Sequence, residues 1–89
     1  MTTPPFNPRV QAALYDVLDN QLRDNAPPET RETLDRLLGQ GVARDEARRL
    51  ITCVIACEVF TILKSNATFD PKRFVSRLSM LPEMPWMEE

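Results

Sequence analysis

The chain has 89 residues, of which 43% are hydrophobic and 27% are charged, and its net charge at pH 7 is −2. The length is too short for two independent cores, so residues 1–89 are expected to form one helical domain of ordinary globular composition. The small negative charge argues against a large binding surface for nucleic acid.

The residue types that most often carry catalysis or bind metal are scarce. Histidine is absent, which removes the commonest general base and the commonest zinc ligand. The only cysteines, Cys53 and Cys57, lie four residues apart in the most apolar stretch. We therefore predict no catalytic residue, no metal site and no cofactor, and we interpret the two cysteines as reduced core residues of a cytoplasmic protein.

The first predicted helix follows a flexible N-terminus, residues 1–6. Asn7 and Pro8 are typical of a helix start, because asparagine caps free amides and proline has a preset φ. An apolar stripe at helical spacing follows, formed by Val10, Ala13, Leu14, Val17, Leu18 and Leu22. Residues 25–28, with two consecutive prolines, end this helix.

A second, shorter helix is predicted to begin near Pro28. Its apolar face consists of Leu34, Leu37 and Leu38. Gly41 is predicted to end it in the left-handed conformation that glycine adopts without steric cost.

The third predicted helix runs from about Arg44 to Ser65 and is apolar on almost all sides beyond Leu50. A helix of this kind is normally buried by neighbours on several sides, so it is either the central helix of the fold or the core of an oligomer interface. Its longest apolar run, residues 51–63, is too short to cross a bilayer and contains Glu58, so we expect no membrane contact.

The fourth helix is predicted to begin with Asp70 as its cap and Pro71 as its first residue, with Phe69 packing on Phe74 as a hydrophobic staple. Pro82 ends it, and residues 82–89 are expected to form an extended tail. Trp86 in this tail either covers the chain's own core or docks on a partner. The predicted fold class is all-α: a single-domain four-helix bundle, orthogonal or up-down, with a buried third helix.

Glu58 is the one acidic residue within the apolar part of the third helix. If it faces the core, it needs an arginine or another hydrogen-bond donor, because an isolated buried carboxylate is costly. A carboxyl group in such a place could also serve acid–base catalysis, but the sequence offers no second group to act with it. We favour a structural ion pair or an exposed position.

Residues 34–51 have the order helix, glycine-containing turn, helix, which is also the order in a helix-turn-helix. Arg44, Arg48 and Arg49 would then face a DNA groove. Asp45 and Glu46 cancel much of their charge, and the helix that follows is too apolar for a recognition helix. Nucleic-acid binding is therefore a less favoured alternative.

The order of motifs resembles that of small bacterial helical domains of unknown function. No single motif is specific; the order and spacing carry the resemblance, from residue 7 to residue 82. The residues that match are Asn7, Pro8, Gln21, Leu22, Pro27, Pro28, Glu46, Ala47, Glu58, Phe69, Asp70, Leu81 and Pro82.

The resembling domains carry two His-x-x-x-His pairs, which would suit a divalent metal because residues four apart share a helix face. In this chain all four histidine positions are substituted, by Gln11, Tyr15, Asp45 and Arg49. Any metal role of those domains therefore does not transfer, and Asp45 with Arg49 is predicted to form an ion pair instead. The resemblance implies no function.

The sequence thus leaves the function unknown and favours a non-catalytic helical module for protein interaction or self-association. A homodimer or an unidentified protein is the expected partner, because any uncovered face of the third helix would be an exposed apolar patch. The alternatives are a metal protein or enzyme that uses acidic residues such as Glu58 and Asp45, and the helix-turn-helix-like nucleic-acid binder.

Overall fold

Four α-helices make up most of residues 8–66 and 68–84, the parts of the chain that the computed structural model describes. They are α1 (Pro8–Asp24), α2 (Pro28–Gly39), α3 (Arg44–Ser65) and α4 (Pro71–Met80). No strand occurs in these ranges. α3 contacts each of the other three helices, and α2 also contacts α1 and α4. The predicted all-α four-helix bundle is therefore confirmed, and α2 and α3 each contact all three other helices.

The core is formed almost entirely by aliphatic side chains from all four helices. Its fully buried members include Leu18, Leu34, Leu37, Ile51, Val54, Phe74, Leu78 and Leu81. The predicted Asn7 cap, the N-terminus over residues 1–6 and Trp86 lie outside the described residues. Of the predicted tail, residues 82–84 are described, and Met84 packs against the core.

α1 buries a narrower stripe than the sequence predicted. Leu14, Leu18 and Leu22, each four residues from the next, are buried. Val10 and Val17 are instead 43% and 39% exposed. The reason is that α1 packs against α2 and α3 and has no close contact with α4 in the described ranges, so only one narrow line of side chains meets the core.

Gly41 ends α2 as predicted. Its φ is +90°, a left-handed value that suits glycine because it lacks a Cβ. The Gly41 N–H donates to the Leu38 carbonyl at 3.1 Å, and the Val42 N–H donates to the Leu37 carbonyl at 3.0 Å. This pair of bonds is the Schellman arrangement, which satisfies carbonyls that a helix end leaves open.

α3 is covered along its first part and uncovered near its end. Its buried residues are Ala47, Leu50, Ile51, Thr52, Val54, Ile55, Ala56 and Glu58. Beyond Glu58 the cover is partial: Val59 is 40% exposed, Phe60 is 43% exposed and Leu63 is 75% exposed, while Ile62 is half-buried. The last two turns of α3 thus present apolar side chains at the surface.

Both ends of α4 are held by side chains. At its start the Asp70 carboxylate accepts hydrogen bonds from the Lys72 and Arg73 N–H groups at 3.0 and 3.3 Å, which confirms the predicted cap. At its end Arg36, from α2, donates to the Leu81 and Leu78 carbonyls at 2.9 and 3.0 Å. The Leu78 carbonyl also accepts from the Leu81 N–H at 3.2 Å, so Arg36 adds a second donor there. Carbonyls at a helix end lack the partners that the next turn would supply.

The cap at Asp70 gives a first testable expectation. Asp70→Ala removes the acceptor for two amides and should lower the free energy of unfolding by about 1 kcal/mol, whereas Asp70→Asn keeps a capping oxygen and should cost much less. Urea denaturation of the two variants beside the unsubstituted chain measures the difference. Equal stability of the alanine variant and the unsubstituted chain would show that the cap contributes nothing.

Candidate functional site

Glu58 is the buried centre of an ion cluster between α3 and α4 whose arginines are partly exposed. The residue is 3% exposed. Its carboxylate accepts hydrogen bonds from Arg73 Nε at 3.1 and 3.3 Å, from Arg73 Nη2 at 2.9 Å and from Arg77 Nη1 at 3.3 Å. The predicted structural ion pair is therefore present, with two arginines in place of one.

The two arginines hold the Glu58 carboxylate in one orientation. Both of its oxygens accept hydrogen bonds from guanidinium groups of α4. The hydrogen bond to Glu58 in turn raises the pKa of Arg73. An acid–base catalyst needs an oxygen within reach of a substrate proton, and this carboxylate directs both of its oxygens at arginines.

The two arginines were not identified from the sequence, although a signal for them exists. Arg73 and Arg77 are four residues apart on α4 and therefore share a face of that helix. A buried glutamate on a neighbouring helix needs positively charged hydrogen-bond donors, which this face supplies. The pairing itself joins residues 15 and 19 positions apart, and only the packing of α4 on α3 brings them together.

Cys53 and Cys57 form no disulfide and are only partly buried, so they are not the core residues that the sequence predicted. Both lie on the side of α3 that the other helices leave open, because the core takes the opposite side of the helix. Burial raises the pKa of the Cys53 thiol, and the Arg49 guanidinium, whose Nη1 is 3.9 Å from Cys53 Sγ, acts in the opposite direction. A thiol with a raised pKa is a poor nucleophile at neutral pH.

Tyr15 and Arg49, two of the substituted histidine positions, take part in polar contacts at the surface. The Arg48 guanidinium lies over the Tyr15 ring at 5.6 Å and also bonds to the Asp19 carboxylate at 2.7 Å, which connects α3 to α1. Arg49 donates to both oxygens of Glu46, at 2.7 and 2.9 Å. This bond lowers the pKa of the Glu46 carboxyl.

The predicted ion pair between Asp45 and Arg49 is wrong, because Arg49 binds Glu46 three residues before it. The longer glutamate side chain presents both oxygens to the guanidinium fork, a geometry that strengthens such pairs. Gln11 and Asp45, the other two substituted positions, are exposed. Within residues 8–66 and 68–84, no group of three or more histidine, cysteine or acidic side chains could hold a metal ion.

Two of the three arginines that the helix-turn-helix alternative would place in a DNA groove form ion pairs within the chain. Arg48 forms an ion pair with Asp19, and Arg49 forms one with Glu46. Arg44, at the first position of α3, is exposed. Two of these three guanidinium groups are thus neutralised locally, which leaves little positive surface at the start of α3.

Thr52 carries the one buried side-chain oxygen or nitrogen in the described ranges that has no hydrogen-bond partner. The residue is 5% exposed. Since a buried unsatisfied hydroxyl destabilises by about 1–3 kcal/mol, Thr52→Val, which keeps the shape, should raise the free energy of unfolding by about 1 kcal/mol. Thermal and urea unfolding test this, with Thr52→Ser as the control that keeps the hydroxyl. A valine variant less stable than the unsubstituted chain would show that the hydroxyl has a partner.

Val59, Phe60 and Leu63 form the apolar surface that we call the α3 end patch. Leu63 follows Val59 by four residues and Phe60 by three, so it shares a side of the helix with both. Leu63 is the most exposed large apolar residue in the described ranges, at 75%. Sequence periodicity could not find this patch, because α3 beyond Leu50 is apolar on almost all sides and only packing decides which part is covered.

Comparison with models of protein families, with curated proteins and with solved structures gives no match. The resemblance to domains with His-x-x-x-His pairs therefore stays a prediction. No helix in the described ranges is both long enough and apolar enough to cross a membrane.

Proposed function

We propose that the protein is a non-catalytic helical module that associates with a second copy of itself through the α3 end patch. The exposure of Leu63, at 75%, is the observation that carries this proposal. About three turns earlier on the same helix, Ile51 and Val54 are completely buried. An apolar helix end that its own bundle does not cover is a typical contact surface.

A second copy is the occupant that suits this patch best. A two-fold axis places the same surface of two chains against each other, so an apolar patch meets an equally apolar patch without a separate partner. The three side chains of the patch carry no charge, and a net charge of −2 gives only weak repulsion between two chains. A chain of 89 residues also has a small core that association would enlarge.

The two alternative functions receive less support from the geometry. A catalytic or metal-binding role for Glu58 requires an available carboxylate oxygen, and both oxygens bind arginine. A nucleic-acid surface at the start of α3 requires unpaired cations, and Arg48 and Arg49 are paired.

We also propose a cytoplasmic location, because two cysteines four apart on one helix do not form the disulfide framework of a small secreted domain.

Two matched substitutions test the proposal. Val59 lies in the patch and is 40% exposed, and Val17 lies on α1 and is 39% exposed. In the single chain, aspartate at either position would therefore be exposed to water to a similar extent. We expect Val59→Asp to abolish association, because it would bury a carboxylate at the interface, and Val17→Asp to leave it unchanged. Analytical ultracentrifugation gives the mass of each variant.

The proposal requires the Val59→Asp chain to sediment at 10.2 kDa while the Val17→Asp chain and the unsubstituted chain sediment at larger mass. Leu63→Asp should behave as Val59→Asp does. A dimer that survives both patch substitutions would place the interface elsewhere, and a monomer in all cases would refute self-association.

A further inference from the structure

We draw no further inference here: the strongest candidate, the pair of half-buried thiols of Cys53 and Cys57 on the open side of α3, carries nothing because no third metal-ligating side chain accompanies them in the described ranges and no other feature indicates what they would bind.

Discussion

Glu58→Ala is expected to lower the free energy of unfolding by about 3 kcal/mol, since removing one partner of a buried ion pair leaves the opposite charge without compensation. The carboxylate is almost inaccessible to water, while the side chains of Arg73 and Arg77 are 32% and 21% exposed. Water can therefore reach the two arginines after the substitution, which keeps the loss near the lower end of the usual range. Urea denaturation followed by circular dichroism measures it.

The control for this substitution replaces the whole cluster. A triple variant with Glu58→Leu, Arg73→Met and Arg77→Met removes all three charges and keeps their approximate volume. Because apolar replacements of complete buried ion clusters are often neutral or stabilising, the triple variant should be more stable than Glu58→Ala alone. If Glu58→Ala unfolds at the same urea concentration as the unsubstituted chain, the carboxylate is not buried against the arginines.

Phe74→Ala is expected to destabilise the chain by about 3–5 kcal/mol, because it leaves a cavity at a position that is only 2% exposed. Phe69→Ala should cost far less, since Phe69 is 49% exposed before α4 begins. The two rings lie 5.7 Å apart with their planes at 57°, which is a favourable tilted arrangement. A comparison of the two single variants by chemical denaturation separates core burial from the ring contact.

A double-mutant cycle measures the staple itself. The two substitutions should be coupled by about 0.5–1.5 kcal/mol, the usual strength of an aromatic pair beyond its burial. Strict additivity of the two losses would mean that the contact before α4 does not stabilise the helix start, and the staple would then be only a geometric coincidence.

The helix boundaries could be predicted from the sequence because local chemistry sets them. Pro28 begins α2, Gly41 adopts the left-handed conformation after it, and Asp70 with Pro71 begins α4, each through interactions within a few residues. Such signals act whatever the rest of the chain does. The same reasoning identified Glu58 as a residue that needs a partner within the fold.

The features that could not be predicted from the sequence depend on contacts between helices that are distant in the chain. Arg36 binds the end of α4 across more than forty residues, and no local pattern marks it. Val10 and Val17 fit the periodic stripe of α1, yet they remain exposed because the contacts of α1 are confined to α2 and α3 in the described ranges.

The position of the α3 end patch could not be predicted from the sequence for the same reason. A helix that is apolar on all sides indicates burial, but which turns are covered depends on how its neighbours pack. The sequence therefore predicted an uncovered face on α3 as one possibility and could not place it. The structure places the uncovered apolar residues beyond Glu58, at Val59, Phe60 and Leu63.

Self-association of the unsubstituted chain is the central claim, and sedimentation equilibrium over a series of micromolar concentrations tests it most directly. We expect the average mass to rise with concentration from 10.2 kDa toward twice that value, as a two-fold dimer requires. A mass that stays at 10.2 kDa throughout the series would contradict the account.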